Sequence, residues 1–230
     1  MNNRISKLLS IMPLSSSFRG TIYRLFNRKG NIGKGFRIGF GSYIDSNIVK
    51  IGDNVSIGNL VRIKCLDRFE VGVNTSIGSS TVICGAKEEE KFLNRDFICG
   101  SNVGILCSHY FDVVAPIVIG NDVVIAGNRT QFYTHSDDLS GNRLDGGINI
   151  GNHVYIGAAS LINLGVTICD NVVIQGGCCV NKDINKSGVY ASQTIYRRGN
   201  IRNYSELFID RDSKVINTGA RVYSKEIKKH

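Results

Sequence analysis

The chain has 230 residues, of which 42% are hydrophobic, enough to build a core, so global disorder is excluded. Glycine is high at 26 residues and proline low at 2, but glycine does not recur at every third position, so collagen is excluded too. The net charge of +9 argues against nucleic-acid binding because it sits at the ends: residues 1–30 hold six basic residues and no acid, residues 197–230 hold nine basic and four acidic, and residues 31–196 come to −2.

Residues 1–30 form the first segment. Ile5, Leu8, Leu9, Met12, then Phe18, Ile22, Leu25 and Phe26 fall at helical spacing, and Pro13 with Ser15–Ser17 divides them into two helical pieces. Two readings stand: a cap over the open end of a solenoid, or a basic amphipathic contact with anionic lipid.

Residues 31–195 carry a six-residue repeat. Aliphatic residues recur at Ile32, Ile38, Ile44; at Ile51, Ile57, Ile63; and at Val71, Ile77, Ile83. A short run at Ile119, Ile125 and Gln131 leads to an unbroken one at Ile150, Ile156, Ile162, Ile168, Ile174 and Val180. Period six fits neither a 3.6-residue helix nor a single alternating strand. It fits a coil of three short strands, about 18 residues per turn, each strand pointing one residue inward. Gly, Asn and Asp supply the turns, and proline is scarce because it cannot donate to a strand ladder.

Three breaks interrupt the repeat. Residues 86–96 form a charged excursion containing Glu88, Glu89 and Glu90. The other two follow His109 and His135, where Ile105–His109 parallels Gln131–His135 in text. On that alignment adjacent coils each place a histidine at one corner, within reach of one another at a strand spacing of about 4.8 Å. An imidazole beside a loop suits general-base chemistry at neutral pH. Asp112 or Asp137 is the expected carboxylate to fix its tautomer. His153 sits within a regular hexapeptide and is expected to face outward, and His230 is terminal.

Seven cysteines without CxxC spacing fit neither a zinc site nor a disulfide framework, and are expected as small buried hydrophobes in a reducing cytosol. No secretory signal and no membrane-spanning run is visible, which points to a cytoplasmic protein, with peripheral contact at the inner membrane face left open. No metal-ligand constellation, P-loop or Rossmann motif occurs. The basic extension 196–230 follows the repeat.

These features resemble the hexapeptide-repeat acyltransferases over roughly residues 31–195. The resemblance implies an all-β, left-handed parallel β-helix, an exception to right-handed crossovers. It also implies a homotrimer with active sites between subunits, and acetyl-CoA as donor. The phrase QFYTHSDD is similar to a segment of members that O-acetylate bacterial surface polysaccharides, and CSHYFD to the segment preceding it. That subgroup implies a carbohydrate acceptor, with His135 as base, His109 as second candidate and Asp137 as a catalytic partner. Many simple sugar acetyltransferases place their histidine three residues after the threonine, where this chain has Asp137. Residues 150–184 resemble the family's acetyl-CoA half, which implies cofactor contacts at Tyr155, Gly157, Ala158, Gly176, Gly177 and Lys182, with Arg197 and Arg198 near the phosphate end. Acetylation of a small molecule (an amino sugar nucleotide, serine or an antibiotic) and a non-enzymatic scaffold are the alternatives.

Overall fold

The computed structural model describes residues 8–26, 32–86, 93–137 and 142–192. Residues 1–192 form one compact unit and 193–230 a second, which lies outside the described residues together with His230, Arg197 and Arg198. Glu88–Glu90 and Asp138 also lie outside them.

The six-residue period becomes three columns of inward side chains. One column runs Ile38, Ile57, Ile77, Ile105, Ile125, Ile156 and Ile174 up the eight-stranded sheet, parallel at every step. A second runs Ile44, Ile63, Ile83, Phe111, Phe132, Ile162 and Val180. The third runs Ile51, Val71, Cys99, Ile119, Ile150 and Ile168. The last two belong to one eleven-stranded sheet that bends at a corner, because the long strands Tyr43–Ile51 and Arg62–Val71 continue round it. All these residues are buried and form one core, each isoleucine contributing about 1.5–3 kcal/mol. The fold is the all-β left-handed β-helix implied by the resemblance.

A corner ladder fixes the register. Asn54, Asn74, Asn102, Asp122, His153 and Asn171 all take positive φ between 55 and 60°. Asn and Asp tolerate this left-handed conformation better than other residues with a Cβ. Asn54, Asn74 and Asn102 each donate from Nδ2 to the next side chain, ending on Asp122 Oδ1. His153 sits above, outward as expected, with Nε2 3.6 Å from Asp122 Oδ2.

Two expectations need correction. Gln131 is not an inward residue: it is exposed and Phe132 is buried, because this coil has seven residues from Ile125. Phe132 stacks on Phe111 at a centroid distance of 4.4 Å, and that contact sets the register. The coil Cys99, Ile105, Phe111 keeps the six-step, hidden in the text by its cysteine and phenylalanine. The cysteines are not uniformly buried: Cys99 and Cys178 are, with burial pushing the Cys99 thiol up to about 12, whereas Cys107 and Cys179 are exposed at turn and outward strand positions.

At the N-terminal end, residues 8–11 are helical and helix α1 spans Ser16–Phe26. The Phe18 N–H donates to Ser15 Oγ, a hydroxyl cap at the helix start. Arg19 is buried and donates to the carbonyls of Leu14, Ile38 and Met12. Gly20 lies so close that a Cβ would come within 1.9 Å of the Phe36 carbonyl. Tyr23 meets Phe36 edge-on. This face of α1 covers the first coil.

Candidate active site

The strand Tyr110–Asp112 turns Phe111 inward and leaves Tyr110 and Asp112 on the other side of the sheet. Asp112 is nonetheless buried, because the chain after Phe132 folds over it. Thr134 anchors that crossing: its N–H donates to Asp112 Oδ2 and its hydroxyl to the Asp112 carbonyl, while its Oγ1 accepts from the N–H groups of Val114 and Ala115. His135 follows at once, with Nδ1 2.6 Å from Asp112 Oδ2. The carboxylate thus selects the Nδ1–H tautomer and leaves Nε2 as a free lone pair on a part-exposed ring.

Asp137 does not fill this role. The third break is an antiparallel hairpin, His135–Asp137 against Arg143–Asp145, in which Asp137 is exposed and pairs in register with Arg143. Asp137 shares the strand face of His135, but Nδ1 is already taken by Asp112. Asp112, the other carboxylate expected, is brought to His135 by coil stacking.

The paired-histidine expectation also fails. Register aligns Phe111 with Phe132 and Tyr110 with Gln131, so His109 stacks on Thr130 rather than on His135. His109 is buried in a corner column, and its Nδ1 accepts from the Thr130 N–H at 3.2 Å. Burial pushes its pKa down. Its buried Nε2 closes no hydrogen bond of ordinary geometry. A neutral, enclosed imidazole of this kind suits a structural role.

Sequence reasoning missed the surface beneath His135. In register across parallel strands lie Lys64, Cys84, Asp112 and Tyr133 in one outward row, with Arg62, Val82, Tyr110 and Gln131 beside it. The Tyr110 and Tyr133 rings sit 5.8 Å apart, and the Tyr133 hydroxyl donates to Gln131 Oε1. Burial, then the Asp112 charge, raises the Tyr110 hydroxyl pKa. Cys84 next to Asp112 is likewise raised, mainly by burial, and so is a poor nucleophile. The aromatic pair separated by one coil was legible only with the register in hand.

The residues implied for acetyl-CoA separate into four places. Gly157 is packed into the coil: a Cβ there would lie 2.3 Å from the Gly176 nitrogen. Ala158, Gly176 and Gly177 form a small-residue corner joined by the Gly177 N–H to the Ala158 carbonyl, and nothing lies within 4 Å of the Gly177 Cβ position. Tyr155 lies on the outer face of the eight-stranded sheet, in register with Val124 and Val173. Lys182 is exposed just past the strand Cys179–Val180. Among the described residues no group of three His, Cys, Asp or Glu side chains is placed to hold a metal, and no helix is long and apolar enough to cross a membrane.

No family model matches the chain. A stretch of 106 residues is 40% identical to the galactoside O-acetyltransferase of Escherichia coli, covering 41% of this chain and 52% of that enzyme. The chain is similar to that O-acetyltransferase over this stretch. It spans about half the length of the curated relative it matches. Similar solved structures include an N-acyltransferase variant from Bacillus cereus in complex with dTDP-4-amino-4,6-dideoxyglucose and coenzyme A, at 21% identity, covering 76% of this chain and 86% of that one with a TM-score of 0.47. Another is a maltose O-acetyltransferase from Clostridium difficile, at 20% identity, with coverages of 82% and 78% and a TM-score of 0.37.

Proposed function

We propose that this chain is an acetyl-CoA-dependent O-acetyltransferase acting on a sugar hydroxyl, with His135 as general base and Asp112 as the group that orients it. The 2.6 Å contact between His135 Nδ1 and Asp112 carries the reading. Nε2 takes the hydroxyl proton as the oxygen attacks the thioester carbonyl. The new C–O bond forms, the C–S bond breaks, and the imidazolium returns its proton to the departing sulfur, giving an acetyl ester and a free thiol. Buried Asp112 stabilises the imidazolium while it exists. A scaffold would have no use for a base held in this tautomer.

The small-residue corner at Ala158, Gly176 and Gly177 fits the thin arm of the donor, because side chains that would fill the channel are absent. Lys182 would then meet its phosphates. Tyr110 and Tyr133 offer ring faces to a sugar, with Gln131 and Arg62 as polar neighbours.

The finer acceptor class divides into two readings. The QFYTHSDD and CSHYFD phrases favour a bacterial surface polysaccharide or its precursor. The galactoside O-acetyltransferase likeness favours a small sugar. A homotrimer with sites between subunits is supported by the exposed apolar row Val124, Tyr155, Val173 and Val189 on the eight-stranded sheet, which a second copy would cover. The test is thiol release from acetyl-CoA against a panel of galactosides, nucleotide sugars and polysaccharide fragments. Turnover with at least one sugar supports the proposal; no turnover with any, and no CoA binding by calorimetry, would favour the scaffold.

A further inference from the structure

Helix α1 has one face that its role as a cap explains and two that it does not. Arg19, Gly20 and Tyr23 pack on the first coil. The far side carries Phe18 at 54% exposure, Leu25 at 63% and Phe26 at 59%. On the preceding helical piece Leu8 and Ile11 are 62% and 63% exposed. The Gly41 N–H donates to the Ser10 carbonyl, tying that piece to the same end of the coil, where Phe40 is also exposed. A helix face turned to water is ordinarily polar, and isolated exposed apolar residues need no explanation, but a stripe at i, i+7 and i+8 does.

Beside the stripe runs a basic one. Residues 1–44 contain eight Lys and Arg and no Asp or Glu. Arg24 and Arg37 line a recess of about 180 Å³ between α1 and the first coil, together with Ser17 and Thr21. The recess is roomy enough for a phosphate group, and it opens beside Phe18 and Leu25 on the same helix. A second copy of this face would bring like charges together. A surface of anionic headgroups over hydrocarbon matches both stripes.

We propose that the outer face of α1 docks the protein on an anionic lipid surface, with Phe18, Leu25 and Phe26 entering the acyl boundary and Arg24 and Arg37 meeting headgroup phosphates. This rests on the helix and first coil, not on the acetyl-transfer reading. It gives the cap two jobs: one face closes the solenoid and the other holds it at a membrane, where lipid-linked acceptors would be presented.

The full-length chain is sedimented with phosphatidylcholine vesicles, with and without phosphatidylglycerol. The expected result is partition onto the phosphatidylglycerol vesicles, weakened about tenfold on phosphatidylcholine alone. The pair Phe18→Ser with Leu25→Ser lowers partition by about tenfold or more with an unchanged melting temperature. The pair Arg24→Gln with Arg37→Gln lowers it only on the anionic vesicles. Full recovery of the wild-type protein in the supernatant overturns the proposal. Wild-type-like binding by the Phe18/Leu25 pair overturns it too, since charge elsewhere in the chain would then account for the attraction. So does a concentration-dependent assembly that the same pair dissolves without any vesicle binding, which would make the face a contact between copies.

Discussion

Asp112 Oδ2 accepts from the Thr134 N–H at 3.2 Å and lies 2.6 Å from His135 Nδ1, so one buried carboxylate both pins the crossing chain and orients the imidazole. Asp112→Asn is expected to lower kcat by about 100-fold, because the amide offers a donor where Nδ1–H needs an acceptor. Asp137→Asn is expected to leave kcat within about threefold, since Asp112 and not Asp137 holds His135 Nδ1. Steady-state kinetics on the two variants separates the carboxylates. Equal losses would return Asp137 to the site.

His109 makes a different kind of prediction. Burial lowers its folded-state pKa below the ordinary imidazole value of about 6.5, so the unfolded chain binds the extra proton more readily. The contribution to stability is present above about pH 6.5 and is lost as pH falls below it. Melting temperature is therefore expected to fall between about pH 7.5 and about pH 5.5, and His109→Gln is expected to flatten that slope. An unchanged slope in the variant would show that other groups set it.

The end of the charged break is held by an ion pair. Buried Arg95 donates to both carboxylate oxygens of Asp67 and to the Ala86 carbonyl. Removing one member of such a pair leaves the other charge enclosed, at a cost of about 3 kcal/mol. Asp67→Ala is expected to lower the denaturation midpoint accordingly. A shift under about 0.5 kcal/mol would mean that water reaches Arg95.

The exposed row Val124, Tyr155 and Val173 predicts assembly. Val173→Asp would place a charge in the proposed copy-to-copy contact. Light scattering is expected to read a trimer for the wild type and a monomer for the variant, with thiol release lost along with it. A monomeric wild type would remove the inter-subunit site.

The repeat made the fold legible because the coil writes its geometry into spacing: an inward Ile at every sixth residue dictates stacked strands without further information. The site was legible only in part. His135 was found from the phrase around it, but its partner was left between Asp112 and Asp137, because Asp112 is separated by 23 residues in sequence and brought alongside by coil stacking. The alignment of His109 with His135 used the last residue before each break. The actual register follows the buried pair Phe111 and Phe132, whose stacking outweighs the likeness of the polar text. Helix α1 was legible as amphipathic, but not which of its faces would be covered, since Gly20 and Arg19 do not read as a buried face until Phe36 and Ile38 are placed against them.

The most direct measurement is acetyl transfer by His135→Ala, read as thiol release with the best sugar acceptor and paired with a thermal melt. The base assignment predicts a loss of about 1,000-fold or more in kcat with a melting temperature close to wild type, because the ring is part-exposed and packs little core. Turnover within about tenfold of wild type in a folded His135→Ala protein would contradict it.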